Sequence, residues 1–316
     1  MKPVVAREHG DADVLAVADV SVPQPGHGEV RIRVHAAGTN PVDAGNRADG
    51  SWAQVTAPFV PGYDVAGTVD SLGEGVTDVS PGARVMALTA FPRGQGGYAE
   101  YVVVTRDAVA PISDSTSYES AAATPLAGGT ADDILARLDL PESSRLLVLG
   151  ASGGVGSFLL QLAALRGLDV VAVGSSRHHD RLRDLGASAC VDYTRTDALD
   201  AVLAGGHVDA VADLVGGSTI TALLPALRDR GQVATIATPQ VDIDTVVDRN
   251  LTLHGVLIAD DGDRTRRLAG LLASGDLVGQ VAHALPFGLA AEAHRLLDQG
   301  HAGGKIVLTG WLFGGR

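Results

Sequence analysis

The stretch Arg145-Leu146-Leu147-Val148-Leu149-Gly150-Ala151-Ser152-Gly153-Gly154-Val155-Gly156-Ser157 decides the fold. A short apolar run ends in a glycine-dense turn, and an apolar helix-like segment, Phe158 to Leu168, follows at once. A strand–turn–helix unit of this kind aims free backbone N–H groups at one point, where the helix dipole also favours negative charge. Glycines let the backbone approach a pyrophosphate and let strand and helix pack closely. The unit therefore predicts a dinucleotide site. Its spacing, Gly150, Gly153 and Gly156, differs from the usual G-x-G-x-x-G.

Downstream, strand-like and helix-like segments alternate. Arg145–Leu149, Asp169–Val173, Ala189–Val191, Val208–Val215, Gln232–Ala237 and Leu251–Ile258 read as strands. Val155–Leu165, His179–Leu185, Ile220–Leu227 and Arg264–Ala273 read as helices. Six strands with crossover helices predict an α/β, doubly wound parallel sheet of the Rossmann kind. Upstream, Glu29–Ala36, Val65–Val69, Arg84–Leu88 and Tyr98–Val104 are short β-like runs divided by Gly, Pro and Asp. They predict an irregular, mostly β first domain. In the tail, Val281–Pro286 is extended but carries a proline, Leu289–Leu297 reads as a helix, and Lys305–Thr309 reads as a closing strand.

The totals bound the function. The chain has 316 residues with a formal net charge of −13, which argues against nucleic acid or an anionic membrane as partner. It has no apolar run of the ~20 residues needed to span a bilayer and no secretory-type start, so a cytoplasmic location is expected. The one cysteine, Cys190, rules out an internal disulfide or a multi-cysteine zinc site. The histidines form no metal set, and no metal ligand is predicted. Only two lysines occur, Lys2 and Lys305.

Cofactor choice is read at the end of the second strand, where Gly174-Ser175-Ser176-Arg177 follows Val173. A carboxylate there would bind a ribose 2′-OH, whereas arginine suits a 2′-phosphate. That strand tip carries no acid, so NADPH is expected over NADH. A P-loop is absent because no Gly-Lys-Ser/Thr follows the glycines, and Tyr-x-x-x-Lys is absent because His301 lies four residues before Lys305.

Eight motifs in order then resemble a known family. Gly38-Thr39-Asn40-Pro41-Val42-Asp43, Pro61-Gly62-Tyr63-Asp64-Val65-Ala66-Gly67, Gly97-Tyr98-Ala99-Glu100-Tyr101 and the turn Pro125-Leu126-Ala127-Gly128-Gly129-Thr130-Ala131 come first. The Gly150–Gly156 loop, Leu185-Gly186-Ala187, Asp213-Leu214-Val215-Gly216-Gly217 and Gly304-Lys305-Ile306-Val307-Leu308 complete the set. The chain resembles the zinc-independent medium-chain dehydrogenase/reductases, in the quinone oxidoreductase (zeta-crystallin-like) branch.

The resemblance implies a GroES-like catalytic domain over 1–122 and 279–316, with a Rossmann NADPH-binding domain over 123–278 and nicotinamide and substrate held in the cleft. It implies that Ser152, Gly153, Gly154 and Val155 cradle the pyrophosphate, and that Gly174, Ser175, Arg177 and Tyr193 hold the 2′-phosphate end. Asn40, Thr130, Val215, Ile236, Ala237, Val256, Ile258 and Lys305 would line the rest of the cofactor path. A homodimer formed by sheet extension through Leu251–Ile258 is also implied.

Zinc-dependent relatives place Cys where Thr39 or Asn40 stands, and Gly-His-Glu where Gly62-Tyr63-Asp64 stands. Without a Lewis acid, alcohol oxidation is disfavoured, and an electron-poor quinone or enone is the expected acceptor. Its oxyanion or enolate needs stabilisation, for which Asn40, Tyr63 and Thr130 are the catalytic candidates. The proton comes from Tyr63 or from solvent.

Two departures from the family pattern bear on the acceptor. Asp132-Asp133 replaces the usual aromatic, which places charge beside the nicotinamide, and Trp52 stands where enoyl-thioester reductases tend to place a tyrosine. The readings left open are therefore an NADPH-dependent quinone or enone oxidoreductase, an enone/enoyl reductase of a biosynthetic intermediate, and a low-turnover NADPH-binding sensor or scaffold.

Overall fold

The computed structural model describes residues 1–50, 53–92, 96–195, 197–300 and 302–311. Trp52, His301 and part of the loop 94–97 lie outside the described residues. The chain divides into two compact units, Met1–Gly129 with Ala259–Arg316, and Thr130–Ile258.

In the first unit come β1 (Val4–Ala6), β2 (Leu15–Val17), β3 (Glu29–Gly38), α1 (Pro41–Ala48), β4 (Asp64–Leu72) and β5 (Arg84–Leu88). After them come β6 (Tyr101–Thr105), β7 (Val109–Pro111), α2 (Tyr118–Ala122) and α3 (Pro125–Leu138), the helix that leads into the second unit. The second unit holds β8 (Arg145–Leu149), α4 (Gly154–Leu165), β9 (Asp169–Val173), α5 (His179–Asp184) and β10 (Ala189–Val191). It continues with α6 (Ala198–Leu203), β11 (Val208–Asp213), α7 (Thr219–Leu223), β12 (Leu227–Thr235), α8 (Ile243–Asp248) and β13 (Thr252–Gly255). The chain then adds α9 (Gly262–Ser274), β14 (Val281–Pro286), α10 (Ala290–Gln299) and β15 (Lys305–Thr309) to the first unit.

The second unit is a six-stranded sheet in the order β10-β9-β8-β11-β12-β13, and every pair in it is parallel. This is the doubly wound order, with β8 and β11 diverging at the switch point. Parallel strands are covered on both faces, which is why β8 and β9 read as unbroken apolar runs. Leu147, Leu149, Val171, Val173, Val211 and Val233 form one buried core. The registers Val191↔Val173, Val173↔Leu149, Leu149↔Asp213, Asp213↔Thr235 and Thr235↔Gly255 align the C-terminal strand ends in one row.

The first unit is built on a seven-stranded sheet, β14-β15-β3-β4-β5-β7 with β6 also paired to β3. Its pairs are antiparallel apart from β14 with β15. Val30, Ile32, Val65, Val85, Val102, Ile306 and Leu308 pack beneath it. β14 is an edge strand, and its Pro286 sits at the strand's end, where a missing N–H costs least.

One local expectation is corrected. Pro125–Ala131 is not a turn but the start of the fourteen-residue helix α3. Gly128 and Gly129 suggest a break in sequence, yet both are buried within the helix. Packing of the helix outweighs the ~1 kcal/mol that each glycine costs. Among the described residues, no helix is long and apolar enough to cross a membrane.

Candidate active site

In the second unit, the residues expected to hold a cofactor follow the row of strand ends directly. Gly150 turns the chain after β8 with φ 77°, in the left-handed region. A Cβ on Gly156 would lie 2.5 Å from the carbonyl oxygens of both Gly150 and Ala151, so only glycine lets α4 seat against this loop. Gly153 is the N-cap of α4, and the N–H groups of Gly154, Val155 and Gly156 open the helix. These N–H groups have no partner within their own helix, and the dipole there favours an anion.

The tip after β9 adjoins this loop. A Cβ on Gly174 would lie 3.7 Å from Ser152 Oγ, and Arg181 Nη2 donates to the Ser152 carbonyl at 3.0 Å. Ser175 caps a short 3₁₀ turn, Ser176–His178. Arg177 is exposed, its Nε contacts His178 Nε2 at 3.1 Å, and it has no ion-pair partner among the described residues. Its charge is available for a phosphate. Tyr193 is exposed beyond β10.

The sequence reading finds no acid on this strand tip, but the fold brings one from a neighbouring strand. Asp192 Oδ2 accepts the Ser176 N–H at 3.0 Å, and Oδ1 accepts the Thr194 N–H and Oγ1–H. These hydrogen bonds, led by those from Thr194, hold its carboxyl well below the usual carboxylate range. The only sequence signal was the adjacency Val191-Asp192-Tyr193.

On the other side of the switch point, Asp213 is fully buried at the end of β11 and accepts the N–H groups of Val215 and Gly216 at 3.1 and 2.9 Å. Thr235 Oγ1 also donates to Asp213, at 3.3 Å, tying the β11 loop to the loop that carries Ile236 and Ala237. Val256 and Ile258 are buried beyond β13. Thr130 is buried in the second turn of α3, so it does not cap that helix.

Asp132 lies away from the glycine loop. It is buried, and it pairs with Arg166 at 3.2 Å, the C-cap of α4. The glycine loop lies at the opposite end of that twelve-residue helix, roughly 18 Å away at 1.5 Å per residue. Asp132 therefore places no charge beside the pyrophosphate loop.

In the first unit, motifs far apart in sequence converge on one buried cluster. Asn40 precedes α1, and the Asp43 carboxylate folds back onto the Asn40 N–H at 2.8 Å. Asn40 Nδ2 donates to Asp64 Oδ2 at 2.9 Å, and its Oδ1 accepts from Lys305 Nζ at 2.5 Å. Lys305 also donates to Asp64 Oδ2 at 3.0 Å, while Asp64 Oδ1 accepts the Leu126 N–H at 2.6 Å. Asn40, Asp64 and Lys305 are 3%, 0% and 4% exposed.

Asp43 also accepts from Gly62 N–H at 3.1 Å and from Tyr98 OH at 3.3 Å. Burial pushes its carboxyl up to about 7, with Asp64 adding repulsion and the Asn40 N–H, Lys305 and the Gly62 N–H opposing the rise. His294 Nε2 meets Tyr98 OH at 3.3 Å, and burial with nearby Arg47 lowers the imidazole to about 3. Tyr98 donates to Asp43, so neutral His294 donates its Nε2–H to the phenol oxygen.

Tyr63 is fully buried. Its hydroxyl donates to the Pro92 carbonyl at 2.9 Å and accepts from Asn46 Nδ2 at 2.8 Å. Among the described residues no group of three or more His, Cys, Asp and Glu is arranged to hold a metal. The positions that hold zinc in relatives carry an amide, a hydrogen-bonded phenol and a lysine-paired carboxylate, a donor set that does not suit zinc.

Known proteins bear out this architecture. Residues 26–114 match the family described as alcohol dehydrogenase GroES-like domain, and residues 185–308 match that described as zinc-binding dehydrogenase. The chain is 31% identical to the NADPH-dependent alkenal/one oxidoreductase of Arabidopsis thaliana chloroplasts, over 98% of this chain and 79% of that one. It is 30% identical to the solved quinone oxidoreductase of Coxiella burnetii, with a TM-score of 0.89 over 98% and 99% of the two chains. A mycobacterial protein solved with NADPH is 30% identical, with a TM-score of 0.86 over 98% and 100%. The expected α/β architecture, a Rossmann sheet with a GroES-like domain, is thus confirmed, and the chain belongs to the medium-chain dehydrogenase/reductase family, in its quinone oxidoreductase branch.

Proposed function

We propose that this protein is an NADPH-dependent, zinc-independent oxidoreductase that delivers a hydride to a quinone or an α,β-unsaturated carbonyl compound. The observation that carries the donor side is the row of strand ends. One straight edge of the sheet sets the α4 N-terminus, the Gly174–Arg177 tip and the Val215 and Ile236–Ala237 loops side by side. Glycine is required where α4 meets the loop, and Arg177 has no ion-pair partner among the described residues. Bound there, NADPH supplies a hydride. The relatives named for NADPH, alkenals and quinones support the same reading.

On the acceptor side, the buried Asn40–Asp64–Lys305 cluster offers an amide hydrogen in place of a metal. An enone takes hydride at its β-carbon, its C=C pair shifts to join the α-carbon to the carbonyl carbon, the C=O π pair moves onto oxygen, and solvent protonates the resulting enolate at the α-carbon. Tyr63 is a poor proton donor in this arrangement, because its hydroxyl hydrogen is held by the Pro92 carbonyl in a sealed site. The domain limits at 122/123 and 278/279 remain part of this proposal, as does a cytoplasmic location, which suits the single, partly buried Cys190.

The reading extends to a homodimer. β13 is the last strand on its side of the sheet, and Leu253 and Leu257 beside that edge are exposed. A second copy pairing there would cover a hazardous open edge. Steady-state NADPH oxidation with a panel of quinones and enones tests the central reading. Turnover with at least one acceptor class supports it, and tight NADPH binding with no acceptor consumed overturns it.

A further inference from the structure

The Asn40 amide is pinned from both sides. Its Nδ2 donates to a carboxylate oxygen of Asp64, and its Oδ1 accepts from the ammonium of Lys305. An amide is planar, so two such anchors fix both its plane and its flip. The reversed orientation would set the NH2 group against an ammonium and the carbonyl against a carboxylate, two repulsive contacts.

The anchors are themselves held. Asp64 begins β4 and takes the Leu126 N–H of α3 on its other oxygen. Lys305 begins β15 and bonds the same Asp64 oxygen that Asn40 uses. The Asn40 N–H is fixed separately by Asp43.

One hydrogen of the amide is left over. Nδ2 carries two hydrogens, and within the described residues only one finds an acceptor. A buried donor without a partner is costly, and it persists where a ligand will satisfy it. Lys305 differs: two of its three hydrogens are engaged inside the cluster, and Asp64 at 3.0 Å compensates its charge. A compensated ammonium offers little to a phosphate.

We infer that Asp64 and Lys305 are positioning residues that fix the Asn40 amide so that its second Nδ2–H is the donor to the acceptor's carbonyl oxygen, and that Lys305 is not a ligand of the cofactor. This rests on the reductase reading for the identity of the acceptor. It departs from what the family resemblance implies for Lys305.

The test is a double-mutant cycle with two readouts, activity and NADPH affinity. Asn40→Ala should lower kcat on the order of 100-fold, the scale of losing one preorganised donor. Lys305→Met should lower kcat about 10-fold or more in the wild-type background and less than about twofold in the Asn40→Ala background. NADPH Kd, read by fluorescence titration, should stay within about twofold in Lys305→Met. Because Lys305→Met leaves buried carboxylates uncompensated, the charge-neutral pair Asp64→Asn/Lys305→Met is measured beside it and should show the same kcat loss.

Equal kcat losses in both backgrounds, or an NADPH Kd that rises in step with the kcat loss, would overturn the assignment. A readout independent of turnover is the Asn40 side-chain ¹⁵N–H₂ signal. It should be dispersed and slow to exchange in the wild type, and should collapse toward free-amide values in Lys305→Met. An unchanged signal overturns the inference. Absence of wild-type turnover would sink the reductase reading alone and leave this amide test standing.

Discussion

Two glycines of the same loop should fail in different ways when each becomes alanine. A methyl group at residue 156 would sit 2.5 Å from two backbone oxygens, those of Gly150 and Ala151, and 2.7 Å from the Ala151 carbonyl carbon. Relief to ordinary contact at 3.4 Å needs about 0.9 Å of movement, and the atoms that must move are the loop itself. Overpacking of this kind costs about 1–3 kcal/mol, enough to lower Tm by several degrees. The displaced N–H groups should also raise the NADPH Kd about 10-fold or more.

Residue 153 is different. Gly153 has φ −78° and ψ −178°, which any residue adopts, and its added Cβ meets only Gly150 O, at 3.4 Å. Gly153→Ala should therefore change stability by no more than about 0.5 kcal/mol. Its methyl group nevertheless stands at the N-cap of α4, where a pyrophosphate must approach, so NADPH should again weaken about 10-fold. Thermal unfolding of the ligand-free proteins and fluorescence titration with NADPH separate the two effects. Equal Tm losses in the two variants, or normal NADPH binding by Gly153→Ala, would refute the reasoning.

Three further outcomes are expected. Arg177→Glu should weaken NADPH at least about 10-fold and leave NADH within about twofold, because only the former presents a 2′-phosphate to an exposed guanidinium; equal weakening in binding titrations contradicts this. Asp43 is raised to about 7 in the fold against about 3.9 unfolded, so its contribution to stability is fully present below about pH 4 and is lost as pH rises toward 7. Asp43→Asn should remove that decline in urea unfolding across the same window, and an unchanged pH profile would count against it. Leu253→Lys, on the exposed edge strand, should shift sedimentation from dimer to monomer; a wild-type monomer would remove the dimer proposal outright.

The Rossmann half was legible because its strands are buried on both faces. Leu146–Leu149 and Val170–Val173 need apolar residues at every position, and the first turn of α4 admits nothing larger than glycine at residue 156, against the loop that precedes it. The start of α3 was read as a turn because Gly128-Gly129 is a local breaker and nothing local reports that the helix is packed. The polar cluster was only half legible. Asn40 and Lys305 stand out by motif, but a sequence separation of 265 hides that each is the other's partner.

Asp64 was read as a motif letter, and only the fold shows its carboxylate gathering Asn40, Lys305 and Leu126. The partner of Asp132 was hidden in the same way. Its neighbours in sequence suggest the nicotinamide, while its partner in space, Arg166, lies at the far end of α4. Asp192 reached the cofactor tip from a different strand, beyond the reach of any rule tied to the second strand alone.

The most direct measurement of the account follows a labelled hydride. NADPH carrying deuterium at both C4 positions of the nicotinamide is consumed with an enone acceptor in ordinary water, and the product is examined by mass spectrometry and NMR. Hydride transfer with a solvent proton predicts one deuterium at the β-carbon and none at the α-carbon, and repeating the reaction with unlabelled NADPH in heavy water should reverse the pattern. A product with no deuterium from the labelled cofactor, or NADPH bound without any reduced acceptor formed, would contradict it.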